Sequence, residues 1–453
     1  MKNPAPIYMP LIKLALPLMF IQICQASLGL VDTLLAGQFH YRDLAAVGLA
    51  SNIWTPIAIL ITGIMYVLVP KFSAASGQQD SETCAKLLAL GKRNAAVLSL
   101  IGFCLVQVFA FLAPYLISAQ DVAKITQNYL HAVAFALPGL TYMVLYRFFN
   151  EGRGNMQPIA LTGALLLLIN SGLNLVLVNG YWGFPELGGL GCGIATAIAT
   201  YCALAGLILL SRRSLQTLTP PVGKADPTEA KKLLIEGLPI GIALILEVLA
   251  LTALAFFASA LGTKVVAAHQ VAINIAMVVF MIPVAISSAA TIQVSNYRGK
   301  SLPSESKRAG LAALTMATLY GAIMTVVILA FGQYIAQWFS DDPEVVTLIS
   351  SLILFIAMFQ LVDAIQMVGA GILRGLEEFV KPLVTVLFVY WIIIIPISYF
   401  IGVKGWLVEQ PNIEHIWLLL TCGLTFAALL LGTQSYLQLN RNLVRTELTT
   451  AIG

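Results

Sequence analysis

Three acidic residues interrupt otherwise uncharged apolar stretches of this 453-residue chain: Asp32, Glu247 and Asp363. Carboxyl groups in such surroundings can exchange protons, hold a hard cation together with neighbouring oxygens, or face a water-filled cavity. An ionised carboxylate at the centre of a hydrocarbon layer costs about 2.5–3.5 kcal/mol on insertion scales, so three of them would strain folding without compensation. No Lys or Arg lies inside the same stretches to neutralise them. Spacing suggests other neighbours. Asn170 and Asn174 stand i, i+4 and share a helix face, where amide oxygens suit a site around Asp32. Amides also fasten apolar helices to one another, and spacing does not separate the two roles. Phe359, Asp363, Gln366 and Met367 form an i, i+4, i+7, i+8 stripe that is more polar than a packing face needs. His269 is the one histidine well inside such a stretch; it suits a proton shuttle or, more simply, a buried histidine with its hydrogen bonds satisfied.

The elements that must position these groups follow from composition. The chain is 59% apolar and 10% charged, against about 45–50% and about 25% for soluble domains, which excludes a soluble globular fold. Uncharged windows run over 44–70, 94–120, 125–146, 154–185, 187–211, 265–297, 309–340, 382–403 and 415–440. Three more, 14–41, 237–263 and 345–373, are each broken once, by Asp32, Glu247 and Asp363. All twelve reach the roughly 17–25 residues needed to cross a bilayer. The expected fold is an all-α polytopic membrane protein with twelve transmembrane helices. Twelve spans put the connections alternately on two sides, and Lys and Arg divide 21 to 4 between them, from Lys2 and Lys13 through Lys224 to Arg445 on one side against Arg42, Lys124, Lys264 and Lys404 on the other. The positive-inside rule then places both termini in the cytoplasm. The N-terminus lacks a charged region followed by a cleavage site, so the first apolar segment is expected to be retained.

An internal repeat refines this picture. A shift of 222 residues aligns 14–77 with 236–299 without a gap, pairing Leu16-Pro17 with Leu238-Pro239, Ala45-Ala46 with Ala267-Ala268, Asn52-Ile53 with Asn274-Ile275 and Ser73 with Ser295. Glu151-Gly152 and Arg374-Gly375 follow at almost the same offset. Six-helix halves in the same orientation are parallel repeats, which place a substrate site at their interface and rock one half against the other. The expected lobes are 1–212 and 229–453, joined by a cytoplasmic linker at 213–228. Pro17 and Pro239 each remove a backbone hydrogen bond near the start of a helix, giving a static kink or a hinge for alternating access.

Other chemistries find little support. No GxxxxGK[ST] loop supplies ATP drive, and no HExxH or nucleophile-base set accompanies Glu247 and Asp363, although paired helix-borne acids superficially resemble an intramembrane protease. The six cysteines, Cys24, Cys84, Cys104, Cys192, Cys202 and Cys422, have no ligand spacing and read as buried small apolar residues. No charge run suggests a nucleic-acid partner. A carrier is therefore expected rather than an enzyme, with no cofactor and no obligate protein partner, working as a monomer in the bilayer. A passive channel would show dissipative flux only.

Several segments together resemble the multidrug and toxic compound extrusion (MATE) transporters, in the NorM-like bacterial branch. They are QASLGLVDTLLAG (25–37), GFPELGGLGCGIAT (183–196), GLPIG with LEV (237–248), SDDPEV (340–345) and QLVDAIQMVGAGILRG (360–375). The resemblance covers nearly the whole chain. It implies a two-lobed, twelve-helix antiporter of the bacterial inner membrane that exports organic cations, such as dyes and fluoroquinolone-like drugs, in exchange for Na⁺ or H⁺. On matching positions it implies that Asp32, with Asn170 and Asn174, is an acid tied to protonation or drug binding. Glu247 and Asp363 would form a cation site able to take Na⁺, and Gln270, Asp341 and Asp342 would lie near bound drug, alongside Asp363, Phe359 and Gln366. Asp341 and Asp342 serve equally well as solvated loop charges. Many relatives carry Tyr four residues before the Asp363 position; Phe359 removes that hydroxyl and weakens the expectation of Na⁺. A lipid-linked precursor flippase of the same superfamily is the nearest alternative, but such cavities tend to be basic, whereas the acids here are unaccompanied.

Overall fold

The computed structural model describes residues 5–220, 226–339, 341–408 and 410–452. Lys2, Lys224 and Ser340, named above, fall outside these, as does part of the 213–228 linker. The described residues are helical, with no strand among them. In chain order they form α1 (Ala5–Phe39), α2 (Tyr41–Met65), α3 (Leu68–Gly77), α4 (Ser81–Leu116), α5 (Gln120–Ala134), α6 (Ala136–Gly152), α7 (Met156–Asn179), α8 (Gly189–Leu210) and α9 (Arg212–Gln216). After the linker come α10 (Pro227–Ala260), α11 (Thr263–Gly299), α12 (Pro303–Phe339), α13 (Pro343–Gly375), α14 (Val380–Val386), α15 (Ile395–Ile397) and α16 (Ile413–Ile452). The chain is π-helical over Leu387–Ile394, between α14 and α15, and again over Ser398–Val403 after α15.

Eleven described helices are long and apolar enough to cross a bilayer, and α5 with α6 makes a twelfth if the pair is one span bent by 42°. Each of the twelve sequence windows thus has its helix. The bend has a local cause: Pro138 has no N–H to offer the Ala134 carbonyl one turn back, so the ladder breaks at Phe135. Helix α7 stops at Gly180, whose left-handed φ of +69° a side chain would resist.

Packing divides the chain into two compact units, Phe20–Ile242 and Met1–Met19 with Ala243–Gly453. Along the chain, the crossings fall three residues after Pro17 and four after Pro239, positions that the 222-residue repeat equates within one residue. Both α1 and α10 continue through their prolines as helices. In the first unit the opening turns of α10 are fastened by Lys71 to Glu236 at 2.7 Å, Lys86 to Glu229 at 2.8 Å, and the Asn94 amide donating to the Ala230 carbonyl at 3.0 Å. That anchoring explains why α10 begins in this unit.

In the second unit α13 packs against α11, α12 and α16. Hydroxyls from all three neighbours donate to its carbonyls: Ser287 to Met367 and Thr291 to Gly371, both at 2.8 Å, Thr325 to Ala357 at 2.8 Å and Ser435 to Gly369 at 2.9 Å. Helix-to-helix hydroxyl bonds of this kind average about 0.6 kcal/mol each in membranes, and four of them hold α13 in one rotation. Gly371 permits the closest approach, because a Cβ there would collide with the backbone carbonyl of Ser287.

Faces not used for packing are apolar and open. On α4, Leu100, Val108 and Phe111 are exposed, and on α12, Leu319, Ile323 and Val326. Tyr115, Trp182, Trp338 and Trp406, all exposed, lie at or just past the ends of odd-numbered spans, where amphipathic rings suit a membrane interface. The same exposure corrects the reading of the cysteines. Cys24, Cys84 and Cys192 are buried, but Cys104, Cys202 and Cys422 lie on exposed faces, since an apolar residue of a spanning helix can face lipid as readily as protein.

Candidate functional site

In the first unit Asp32 sits in the last third of α1 and faces α7 and α8. The Asn174 amide donates to Asp32 Oδ1 and also to Asn170 Oδ1 at 3.1 Å, while the Asn170 amide donates to the Thr196 hydroxyl at 3.2 Å. Thr196 also hydrogen-bonds Asp32, and the fully buried Tyr129 of α5 interacts with it electrostatically. Tyr129 is itself held by Ser51 and Trp54 of α2. The acid and the two amides expected beside it therefore meet, and α8 and α5 add Thr196 and Tyr129. Here a single carboxylate is surrounded by hydrogen-bond donors.

The second unit assembles a different group. Glu247 of α10 accepts from the Gln366 amide nitrogen of α13 at 3.0 Å. The Tyr390 hydroxyl, from the π-helical segment, approaches the Gln366 amide oxygen at 3.5 Å. The next residue, Trp391, donates its indole N–H to the carbonyl of Leu246 at 3.2 Å, tying the segment to α10 beside Glu247. Asp363, one turn before Gln366, is buried, and no described residue donates a hydrogen bond to it. It lies near enough to Glu247 for the two carboxylates to interact electrostatically. Phe359 is buried and packs edge-on against Trp417 with ring centroids 5.9 Å apart. Trp417 in turn donates to His269 Nδ1 at 3.2 Å. His269 is thus a buried histidine with one partner, and its Nε2 has none among the described residues.

One expectation needs correction. Arg374, read as lying beyond the span, is buried within the last turn of α13 and interacts electrostatically with Glu247. The uncharged window stops at residue 373 because of Arg374 itself, so a window cut at charges could not include it. The repeat pairs this residue with Glu151, which is also fully buried and bonded to Arg147 at 2.6 Å.

The remaining candidates stand apart from both groups. Gln270 is exposed on α11, and its amide reaches only Asn274 of the same helix at 3.4 Å. Asp342 caps α13 by accepting from the Glu344 N–H at 2.9 Å and pairs with Lys264 at 3.1 Å. The Lys264 ammonium, with the Glu344 N–H, holds its carboxyl below the usual carboxylate range. Asp341 is exposed beside it. A crevice of about 520 Å³ in the second unit, lined by Tyr8, Ile12, Leu16, Met316, Leu319 and Tyr320 among others, contains none of the candidate residues.

Sequence reasoning missed Thr196, Tyr129, Tyr390 and Trp391. Thr196 lies within the segment that carries the family resemblance, which is a signal that was available. Nothing in an apolar run such as LFVYWIIII marks Tyr390.

Comparison with known proteins bears on the whole chain. The MatE family model matches residues 17–176 and 239–400, two segments that begin 222 residues apart, the offset of the internal repeat. The chain is 33% identical over 451 residues to the multidrug resistance protein NorM of Aliivibrio fischeri, covering 97% of this chain and 96% of that one. It is 34% identical to NorM of Vibrio cholerae, over 94% of each chain, and 30% identical to the multidrug resistance protein MdtK of Proteus mirabilis, also over 94% of each. Among solved structures, the eukaryotic MATE transporter AtDTX14 superimposes with a TM-score of 0.85 at 16% identity, covering 98% of this chain and 99% of that one. A multidrug resistance MATE family transporter in an outward-facing conformation gives 0.86 at 17%, covering 96% of each.

Proposed function

Because this chain belongs to the MatE family, we propose that it is a cation-coupled antiporter that exports organic cations across the bacterial inner membrane by alternating access. The observation that carries the proposal is the Glu247, Gln366 and Asp363 group, two carboxylates within spans whose mutual repulsion in low dielectric is relieved when a cation or a proton joins them. In this reading the pair holds the coupling cation, Na⁺ or H⁺, and Asp32 acts separately through protonation or by attracting substrate. Cation entry weakens substrate binding in the outward-facing state, and the carrier returns inward. The coupling ion drives this cycle only through its different affinity for the two states. If one net charge moves inward across about 100 mV, roughly 2.3 kcal/mol is added, or about fiftyfold in accumulation. A one-for-one exchange of monovalent cations moves no net charge and relies on the concentration gradient. The 21 to 4 division of Lys and Arg supports cytoplasmic termini. Asp341, Asp342 and Gln270 are proposed to meet substrate only transiently, and the carrier is proposed to act as a monomer.

The test uses energised bacterial cells lacking their own efflux pumps. Cells expressing the protein should hold ethidium below the level of control cells, and ionophores that dissipate ion gradients should abolish the difference. Equal accumulation in both strains, or a difference that survives the ionophores, would overturn antiport.

A further inference from the structure

Counting donors and acceptors around Glu247 singles out a residue that neither spacing nor composition reveals. The group brings together the two carboxylates of Glu247 and Asp363, the Gln366 amide and the Tyr390 phenol. Gln366 has committed its amide nitrogen to Glu247 and its oxygen to the Tyr390 hydroxyl. With that hydroxyl hydrogen directed at Gln366, both lone pairs of the phenol oxygen are free. The second oxygen of Glu247 and both oxygens of Asp363 likewise lack a donor among the described residues. A cluster with several open oxygen acceptors, where the hydrogens at hand are the second Gln366 N–H and those of the Arg374 guanidinium that interacts with Glu247, suits a hard cation. One proton would satisfy only one of those oxygens.

Backbone geometry supplies a second, independent observation. Tyr390 and Trp391 both reach the Glu247 region, one through Gln366 and the other by bonding the carbonyl of Leu246. Adjacent residues of an α-helix diverge by about 100°, whereas the wider π-helix turns less per residue and narrows the angle between neighbours. Leu387–Ile394 is π-helical, and Pro396 just beyond it cannot continue an α ladder. The Tyr390 contact at 3.5 Å is long for a hydrogen bond, so the hydroxyl can turn toward a cation with little to give up.

We propose that Tyr390 is a direct ligand of a coupling Na⁺ ion, and that the π-helical turn of this span, clamped by Trp391, brings its hydroxyl to the Glu247 and Asp363 carboxylates. This rests on the reading of that pair as the coupling site. It also supplies an oxygen from a different helix where Phe359 offers none.

The experiment compares purified wild-type protein with Tyr390→Phe, Trp391→Phe and the control Tyr399→Phe, whose ring lies against Phe257 and makes no contact with the acids. Each is reconstituted in liposomes, and ethidium flux is measured against Na⁺ concentration and, separately, against an imposed pH gradient. Thermal unfolding without Na⁺ monitors the fold. Expected results are a half-saturating Na⁺ concentration raised about tenfold in Tyr390→Phe, a smaller rise in Trp391→Phe, and no change in Tyr399→Phe, with unfolding temperatures alike. Wild-type flux that depends on Na⁺ while Tyr390→Phe shows the same Na⁺ dependence would overturn this inference and leave the coupling site standing. Wild-type flux that ignores Na⁺ altogether would overturn this inference at its premise. A rise in Tyr390→Phe matched by an equal rise in Tyr399→Phe, or by a lowered unfolding temperature, would assign Tyr390 a structural role and overturn it too.

Discussion

The two acidic centres are built on opposite principles although the two halves of the chain are repeats. Asp32 is a lone carboxylate met by the Asn174 amide and Thr196, whereas Glu247 and Asp363 are two carboxylates of which only Glu247 accepts from an amide, that of Gln366. The repeat does not copy one into the other: the 222-residue shift puts Asp32 opposite Leu254, and Glu247 opposite Gln25. What the halves share is scaffold, including the prolines at 17 and 239. A lone acid with donors in place needs nothing further while charged, so a proton that neutralises it breaks those bonds and can be read by the fold. In the proposed reading the pair, short of donors, takes up a cation beyond the charge that Arg374 supplies to Glu247. Duplication thus supplied two frames, and divergence put different chemistry into each.

This contrast can be broken experimentally, and the largest effect is expected at the pair. Asp363→Asn should insert and purify normally yet lower ethidium export in cells at least tenfold; normal export by a well-expressed variant would remove the pair from the mechanism. Second, Asn174→Leu should leave charged Asp32 short of a donor, a loss of about 1–3 kcal/mol when a buried group goes unsatisfied. Flux driven by a pH gradient should then fall severalfold while its Na⁺ dependence is unchanged, and a shifted Na⁺ dependence would mean the centres are not separate. A third variant probes the frame and not the chemistry. Gly371→Ala forces α13 away from Ser287 and should cost about 1–3 kcal/mol as overpacking, visible as a lower unfolding temperature; an unchanged temperature would show that the hydroxyl-bonded face of α13 is slack. The smallest effect is expected at Asp342. Its carboxyl is held below the usual range in the folded state, so its contribution is complete at neutral pH and is lost only as the pH falls through that lowered value. Asp342→Asn should therefore leave the pH profile of export between 5 and 8 unchanged and lower export itself slightly at most, and a shifted profile would make this exposed acid a titrating group of the transport cycle.

How far the sequence reveals this depends on what kind of neighbour is involved. The spans were legible because lipid imposes one length on all of them, and each window has its helix. Asp32, Glu247 and Asp363 were legible as acids breaking apolar stretches, and Asn170 with Asn174, like Asp363 with Gln366, because partners on one helix face recur at three or four residues. Thr196, Tyr129, Tyr390 and Trp391 come from other helices, where no spacing rule links them to the acids. Tyr390 was doubly hidden, since reading a span with a 3.6-residue period assumes an α-helix, and here the turn is wider. Arg374 was lost to the method of cutting windows at charges. The cysteines show the converse: in lipid an apolar residue gives no sign of which way it faces.

The central claim is that the Glu247 and Asp363 pair, and not Asp32, carries the coupling cation. It is tested most directly by loading liposomes with ethidium and imposing either a Na⁺ gradient or a pH gradient on the reconstituted wild-type protein with the membrane potential clamped. The account predicts uphill ethidium movement under the Na⁺ gradient alone, abolished by Asp363→Asn. Uphill movement that needs only the pH gradient, and survives Asp363→Asn, would contradict it.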